Sequence, residues 1–146
     1  MACCCKSGAS AAGADETQVH LMGEYGLNLG LAFQMKDDIL DFTGTEAQLG
    51  KPAGSDLLQG NVTLPALFAM EDKHARERIT AVHPKTTPNE MKEIIALIKE
   101  TGAIEKSYEL SDRYLQKAFR ILETLPNNKA RSTLYDIAKY IGKRDY

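Results

Sequence analysis

The sequence lacks several features that would place the protein in a specialised class. It has no tryptophan, and none of its apolar runs approaches the length of about eighteen residues that predicts a membrane-spanning helix. Its formal net charge is −2, so it has no general excess of positive charge of the kind that binds nucleic acid. Strand-like alternation of apolar and polar residues is also missing. The 146 residues, 43% of them hydrophobic, therefore predict one all-α domain with a buried core.

Cysteine is confined to one run, Cys3, Cys4 and Cys5. Adjacent cysteines are poorly placed to bridge one another, and their spacing is not that of metal ligands. We therefore expect reduced, small, core-type side chains in a cytoplasmic protein. The small residues over 2–13 lack the long apolar stretch of a secretory signal and predict the end of a buried helix.

Capping signals and helical periodicity predict the other elements. Thr87, Pro88 and Glu90 form a helix start, with a capping threonine, a proline at the first position and a glutamate three residues after the cap. Asp15 is the expected cap of a long helix, whose interior glycines indicate close approach by another helix or a ligand. The predicted helices cover 16–43, 62–73 (with Asn61 as a candidate cap and Pro65 in its first turn), 88–101, 103–125 and 127 or 128–141. Residues 44–61 are predicted to be a long ordered loop that can include one short turn of helix.

Three aspartates lie within five residues of the long predicted helix: Asp37, Asp38 and Asp41. Asp37 and Asp41 are four apart and share one helical face, and Asp38 can reach the same place only from the side. Like charges at this spacing destabilise an isolated helix slightly. Mg²⁺ prefers oxygen ligands and is usually held by one or two carboxylates together with substrate phosphates. The triplet therefore indicates a metal–diphosphate site, with a solvated acidic face as the alternative.

The residues around the triplet resemble a known family. The strings FQMKDDILDFTG and GKPAGSDLLQGNVTLP occur together and in order, and they are similar to the second aspartate-rich region of trans-polyprenyl diphosphate synthases. The C-terminal portion, from Ser107 to Tyr146, most resembles the large, catalytic subunit of bacterial two-component heptaprenyl diphosphate synthases. The resemblance implies an all-α bundle around a deep cavity. It also implies Mg²⁺-dependent transfer of an allylic group from its diphosphate to isopentenyl diphosphate.

The resemblance also implies roles for particular residues. Asp37 and Asp41 become Mg²⁺ ligands with Asp38 close by, and Lys51 contacts the allylic diphosphate. Phe33 and Gln34 are implied to line the substrate pockets, and Asp56 to be an acid that supports the metal site without ligating it. Many relatives carry lysine where this chain has Asn61, so one positive charge near the diphosphates is missing. The basic tail, Lys143 and Arg144, resembles a segment that closes over isopentenyl diphosphate.

Some family features do not occur in the sequence. The resemblance implies a longer chain, with a first aspartate-rich motif, a Gly-Lys-Arg stretch and a Lys-Thr pair upstream. We therefore expect residues 1–146 to be the C-terminal half of a polyprenyl synthase domain, inactive without its N-terminal half.

Two functions remain open from the sequence. In the first, the chain is part of a prenyltransferase of isoprenoid biosynthesis. The expected product is heptaprenyl diphosphate, and a small non-catalytic subunit is a candidate partner. The second is a non-catalytic helical module that associates with itself or with a partner subunit, since a half-bundle exposes apolar faces. A terpene cyclase is a weaker third alternative, because the second motif of cyclases is rich in Asn, Ser and Glu.

Overall fold

A computed structural model of the protein describes residues 1–143, and that range contains nine helices and no strand, which confirms the all-α fold class. None of the helices in this range is both long and apolar enough to cross a membrane. In chain order the helices are α1 (Ala2–Ala11), α2 (Glu16–Thr43), α3 (Glu46–Leu49), α4 (Ser55–Leu58), α5 (Leu64–Ala69), α6 (Lys73–Thr80), α7 (Pro88–Glu100), α8 (Ala103–Thr124) and α9 (Lys129–Gly142).

The helices with strong capping and periodicity signals begin and end close to their predicted positions. The boundaries of α2 match the prediction, and Asp15 accepts a hydrogen bond from the Gln18 N–H (2.8 Å) at its start. At the start of α7, Thr87 and Glu90 form the predicted reciprocal capping box. The predictions for α8 and α9 are correct to within two residues.

The prediction of one helix over 62–73 is wrong. The helix in this segment, α5, covers only Leu64–Ala69, and after a turn at 70–72 a helix that was not predicted, α6, runs from Lys73 to Thr80. The Asp72 carboxylate accepts a hydrogen bond from the Ala75 N–H (2.8 Å) and so begins α6 as a new helix. Thr63 rather than Asn61 precedes α5, although Pro65 lies in the first turn as predicted. The loop predicted over 44–61 contains two short helices, α3 and α4, instead of one turn.

The described residues divide into two units. The first consists of Met1–Gln34 and the described residues from Leu110 onward, and the second consists of Met35–Glu109. Both α2 and α8 contribute residues to each unit.

In the first unit, α1 is not the buried helix that the sequence predicted. It contains no buried residue, and Cys3 and Cys4 are exposed although the helix contacts α2. The contact is close: a Cβ added to Gly26 would lie 2.8 Å from Cys5 Sγ and 2.9 Å from Ala2 Cα. The predicted close approach by another helix is therefore confirmed at Gly26.

The core of the first unit is formed by α2, α8 and α9. Tyr25 is 1% exposed, and its phenol donates a hydrogen bond to the Leu134 carbonyl oxygen (2.8 Å). Burial raises the pKa of Tyr25 to about 12. Ser111 of α8 donates to the Ala32 carbonyl oxygen of α2 (3.2 Å). The other buried hydrophobic residues of this core are Leu29, Ala32, Leu115, Ala118, Leu122, Ala138 and Ile141.

The core of the second unit collects apolar residues from the C-terminal end of α2 and from α4 to α8. Helix α7 buries a stripe at helical spacing, Met91, Ile94, Ile95 and Ile98. The stripe packs in one cluster with Ile39 and Phe42 of α2 and Leu57 of α4, together with Ala66, Ala69, Ala75, Ile79, Ala103 and Ile104. This packing holds the chain between α3 and α5 close to the end of α2.

Candidate functional site

The segment between α3 and α5 folds back onto the last turns of α2. The Gly54 N–H donates a hydrogen bond to the Asp41 carbonyl oxygen (2.7 Å). Gly54 has φ +73°, a conformation that favours glycine, and a Cβ there would lie 2.9 Å from Met91 Cε. The backbone angle therefore favours glycine at this turn, and the end of the Met91 side chain would have to shift to make room for a Cβ.

The Asp41 carboxylate is the anchor of this folded-back segment. It is 2% exposed. Its Oδ1 lies 2.9 Å from Lys51 Nζ and accepts a hydrogen bond from Ser55 Oγ (3.2 Å), while its Oδ2 accepts one from the Asp56 N–H (3.3 Å). A buried carboxylate is stable only when paired and hydrogen-bonded, and these three contacts meet that need.

Lys51 is held between two carboxylates. Its Nζ lies 2.8 Å from Asp56 Oδ1 as well as 2.9 Å from Asp41 Oδ1. The hydrogen bond with Asp56 is the largest cause, and the contact with Asp41 a further one, of a raised pKa at Lys51. The ammonium is therefore charged at neutral pH. It has three donor hydrogens, of which these acceptors use two, and the side chain is 40% exposed. Lys51 can thus present a fixed positive charge to an anion.

Asp37 and Asp38 lie one helical turn before Asp41, and both are half-buried. Asp38 Oδ2 accepts a hydrogen bond from the Leu64 N–H (3.3 Å), which brings the start of α5 to this face of α2. Among residues 1–143, no group of three or more His, Cys, Asp or Glu side chains is placed to hold a metal ion. Two partly accessible carboxylates nevertheless fit Mg²⁺, which needs only one or two from the protein when phosphates supply other oxygens.

The structure therefore brings together five of the residues singled out in the sequence. Asp41, Lys51 and Asp56 form one ion-paired group, and Asp37 and Asp38 lie on the preceding turn of α2. Direct ligation of Mg²⁺ by Asp41 stays a prediction, since both of its oxygens accept hydrogen bonds from the protein.

The two predicted substrate-binding residues of α2 belong to the first unit. Phe33 is half-buried and packs against that unit's core, whereas Gln34 is exposed. Their roles in binding substrate stay predictions. Lys143 is exposed, and Arg144 lies outside the described residues. The three histidines are at the surface: His20, His74 and His83.

Sequence reasoning missed Ser55. Its hydroxyl reaches a carboxylate fourteen positions earlier in the chain. The only signal was its place next to Asp56, and a serine beside an aspartate is common at the start of any helix. The hydrogen bond follows from the turn at Gly54, whose direction the sequence does not determine.

Comparison with known proteins adds to this geometry. The family model described as "Polyprenyl synthetase" matches residues 1–100. The chain is 58% identical over 146 residues to heptaprenyl diphosphate synthase component 2 of Geobacillus stearothermophilus, covering 100% of this chain and 46% of that protein. It is 50% identical over 142 residues to the protein of the same name from Bacillus subtilis, covering 97% and 41%. The chain thus spans less than half the length of these curated relatives.

Solved structures share the fold. Heptaprenyl diphosphate synthase from Staphylococcus aureus matches with a TM-score of 0.91 and 34% identity, over 97% of this chain and 45% of that one. A polyprenyl synthase from Caulobacter crescentus, complexed with calcium and isoprenyl diphosphate, matches with a TM-score of 0.84 and 34% identity, over 96% and 44%.

Proposed function

This chain belongs to the polyprenyl synthetase family, and on that premise we propose that it supplies one diphosphate-binding region of a prenyltransferase. The reaction joins an allylic diphosphate to isopentenyl diphosphate, with release of the allylic diphosphate group. The observation that carries this proposal is the position of Lys51, held 2.9 Å from Asp41 and 2.8 Å from Asp56.

In this proposal Lys51 binds the diphosphate of the allylic substrate. Asp41 and Asp56 fix the ammonium before the substrate arrives, so little side-chain freedom is lost on binding. Because Asp41 is buried and held in turn by Ser55, the ammonium cannot move far from the end of α2. Asp41 is then a positioning residue, and Lys51 contacts the group that leaves.

Asp37 and Asp38 are the residues that would hold Mg²⁺ together with phosphate oxygens. When bound, the cation would neutralise charge that develops on the leaving diphosphate. The Leu64 N–H fixes one oxygen of Asp38 and so orients that carboxylate. The Caulobacter relative is complexed with calcium and isoprenyl diphosphate, which supports binding of a divalent cation and a diphosphate in this proposal.

Phe33 and Gln34 precede the aspartates on α2 and are proposed to contact the substrates. Phe33 offers an apolar surface for a prenyl chain, and Gln34 offers an amide that can donate to a phosphate oxygen. An apolar wall would also keep water away from a reactive allylic cation.

The names of two relatives support a finer proposal. Both are called heptaprenyl diphosphate synthase component 2, so we infer heptaprenyl diphosphate as the product and a second component as partner. Because the printed sequence has a single aspartate-rich motif, we propose that the 146 residues alone do not turn over.

A chimera tests this function. Residues 1–146 would replace the matched part of the Geobacillus protein, and transfer of labelled isopentenyl diphosphate would be measured with Mg²⁺ and the second component. We expect Mg²⁺-dependent chain elongation that falls at least about a hundredfold when Lys51→Met is introduced. A folded chimera without activity, or one that tolerates Lys51→Met, would contradict the proposal. Turnover by the 146-residue chain alone would overturn the need for a second aspartate-rich motif.

A second candidate is a non-catalytic module that associates through apolar surface. Large exposed side chains favour it, namely Met1, Leu27, Val62, Leu67, Tyr135, Ile137 and Tyr140. Sedimentation equilibrium separates the two candidates when it is combined with the chimera. Stable self-association together with an inactive, folded chimera would favour the module.

A further inference from the structure

Lys36 is a buried cation that the sequence pattern did not reveal. It lies in α2 immediately before Asp37 and is only 6% exposed. Its Nζ lies 4.5 Å from the centroid of the Tyr108 ring, which belongs to α8 and packs against the core of the second unit. Both residues belong to that unit.

A lysine is an unfavourable choice for such a position on stability grounds alone. Burying an ammonium carries a large desolvation cost, and an aromatic face offsets only part of it. Within the described residues, the ion pairs of this unit do not include Lys36. A methionine would fill similar volume without the cost.

The usual alternative is a lysine whose stem is buried while its ammonium reaches water. Lys36 differs, because its ammonium lies over an aromatic ring and the residue as a whole is only 6% exposed. The charge is therefore held in a medium that screens it weakly.

The balance of charges at the candidate site suggests a role for the positive charge of Lys36. The candidate site contains the partly exposed ammonium of Lys51 and four carboxylates, those of Asp37, Asp38, Asp41 and Asp56. Such an excess of negative charge repels a diphosphate. A fixed cation on α2, one residue before Asp37, offsets part of that repulsion without occupying a place that the substrate needs.

We propose that Lys36, held against Tyr108, is a buried positive charge that favours binding of magnesium diphosphate at the neighbouring aspartates and Lys51. This inference rests on the proposed function. Lys36 acts through its field and does not contact the diphosphate. Tyr108 is the positioning residue that keeps the ammonium in place.

The experiment titrates the 146-residue chain with inorganic pyrophosphate at saturating MgCl₂ and measures the heat of binding. We expect Lys36→Met to weaken binding by about tenfold, on the order expected for the loss of one weakly screened charge. Its melting temperature should stay equal or rise, because a buried charge is removed. A purely structural lysine would give the opposite result, a lower melting temperature with unchanged affinity, and that would overturn the inference.

Matched variants sharpen the test. Lys36→Arg keeps the charge. Its affinity for pyrophosphate should be within about threefold of that of the parent chain, a smaller change than the tenfold loss expected for Lys36→Met. Tyr108→Leu should weaken binding and Tyr108→Phe should not, since phenylalanine keeps the ring face. Should Lys36→Met fail to fold, Lys36→Gln has the same expected effect. Equal affinities for all of the folded variants would contradict the proposal.

Lys51→Met separates failure of this inference from failure of the proposed function. If Lys51→Met loses affinity and Lys36→Met does not, the buried-charge role is wrong and the diphosphate site stands. If neither substitution changes pyrophosphate affinity, the site itself is wrong and the inference falls with it.

Discussion

Lys51 and Asp41 form an ion pair in which one partner is buried and the other reaches solvent. Asp41 Oδ1 lies 2.9 Å from Lys51 Nζ, and the two side chains are 2% and 40% exposed. The buried carboxylate therefore fixes the position of an accessible ammonium. This asymmetry distinguishes the pair from a surface salt bridge, in which both side chains are mobile and the interaction contributes little to the free energy of unfolding.

Asp41→Asn should destabilise the protein more than Asp56→Asn. The first change leaves Ser55 and the Asp56 N–H with a poorer acceptor inside the fold, and we expect a loss of about 2 kcal/mol. The Asp56 side chain is 32% exposed, so its change should cost less than about 1 kcal/mol. Urea unfolding followed by circular dichroism measures both. Equal losses would mean that burial of Asp41 is not what anchors the segment.

Gly54→Ala should destabilise the second unit, with Gly60→Ala as the matched control. Both glycines have positive φ, +73° and +88°, so both substitutions strain the backbone by about 1 kcal/mol. Only at Gly54 would the new Cβ also press on Met91, whereas nothing lies within 4 Å at Gly60. We expect the Gly54 variant to lose clearly more stability in the same unfolding assay. A Gly60 variant with the larger loss would show that the contact with Met91 is unimportant.

Gly26→Ala should loosen α1, because its methyl would meet Cys5 Sγ and the backbone of Ala2. We expect faster reaction of Cys5 with a thiol reagent and a loss of about 1–2 kcal/mol, the range for overpacking. Gly8 provides the control, since nothing lies within 4 Å of a Cβ there. Gly8→Ala should stabilise the helix by about 0.5–1 kcal/mol and leave the reactivity of Cys5 unchanged. Unaltered Cys5 reactivity in Gly26→Ala would contradict the close contact.

Tyr25 should make the protein sensitive to alkali. Its pKa rises from 10.0 to about 12 in the folded protein, so the folded state holds the phenol proton more tightly than the unfolded state. That contribution to stability is complete below pH 10.0 and is lost as the pH rises towards about 12. Tyrosinate absorbance should show one tyrosine titrating late, coincident with unfolding. Tyr25→Phe should remove this late step, and its persistence in that variant would assign it to another tyrosine.

Elements whose signals are local could be predicted from the sequence. The capping box at Thr87 and Glu90 depends on residues three apart, and it forms as predicted. The family was recognisable from aspartates, Lys51 and Asp56 in a fixed order, and the family match confirms it. These features do not depend on how distant parts of the chain meet.

Features that depend on distant contacts were predicted less well. The segment 62–73 was predicted to be one helix, but α5 ends at Ala69 and Asp72 caps a second helix after the turn. The small residues of α1 predicted burial, yet burial depends on what packs against a helix and not on its composition. The prediction for Asp41 was incomplete for the same reason, since its hydrogen-bond partners, the Ser55 hydroxyl and the Asp56 N–H, reach it only after the chain turns at Gly54.

We propose above all that Lys51, held by Asp41 and Asp56, receives a diphosphate. Calorimetric titration of the 146-residue chain with pyrophosphate and Mg²⁺ tests it most directly, with Lys51→Met and the exposed Lys85→Met compared in parallel. We expect weak binding by the parent chain, at least about tenfold weaker binding by Lys51→Met, in line with the loss of a charged hydrogen bond, and no change for Lys85→Met. Identical affinities for the parent chain and Lys51→Met would contradict the claim.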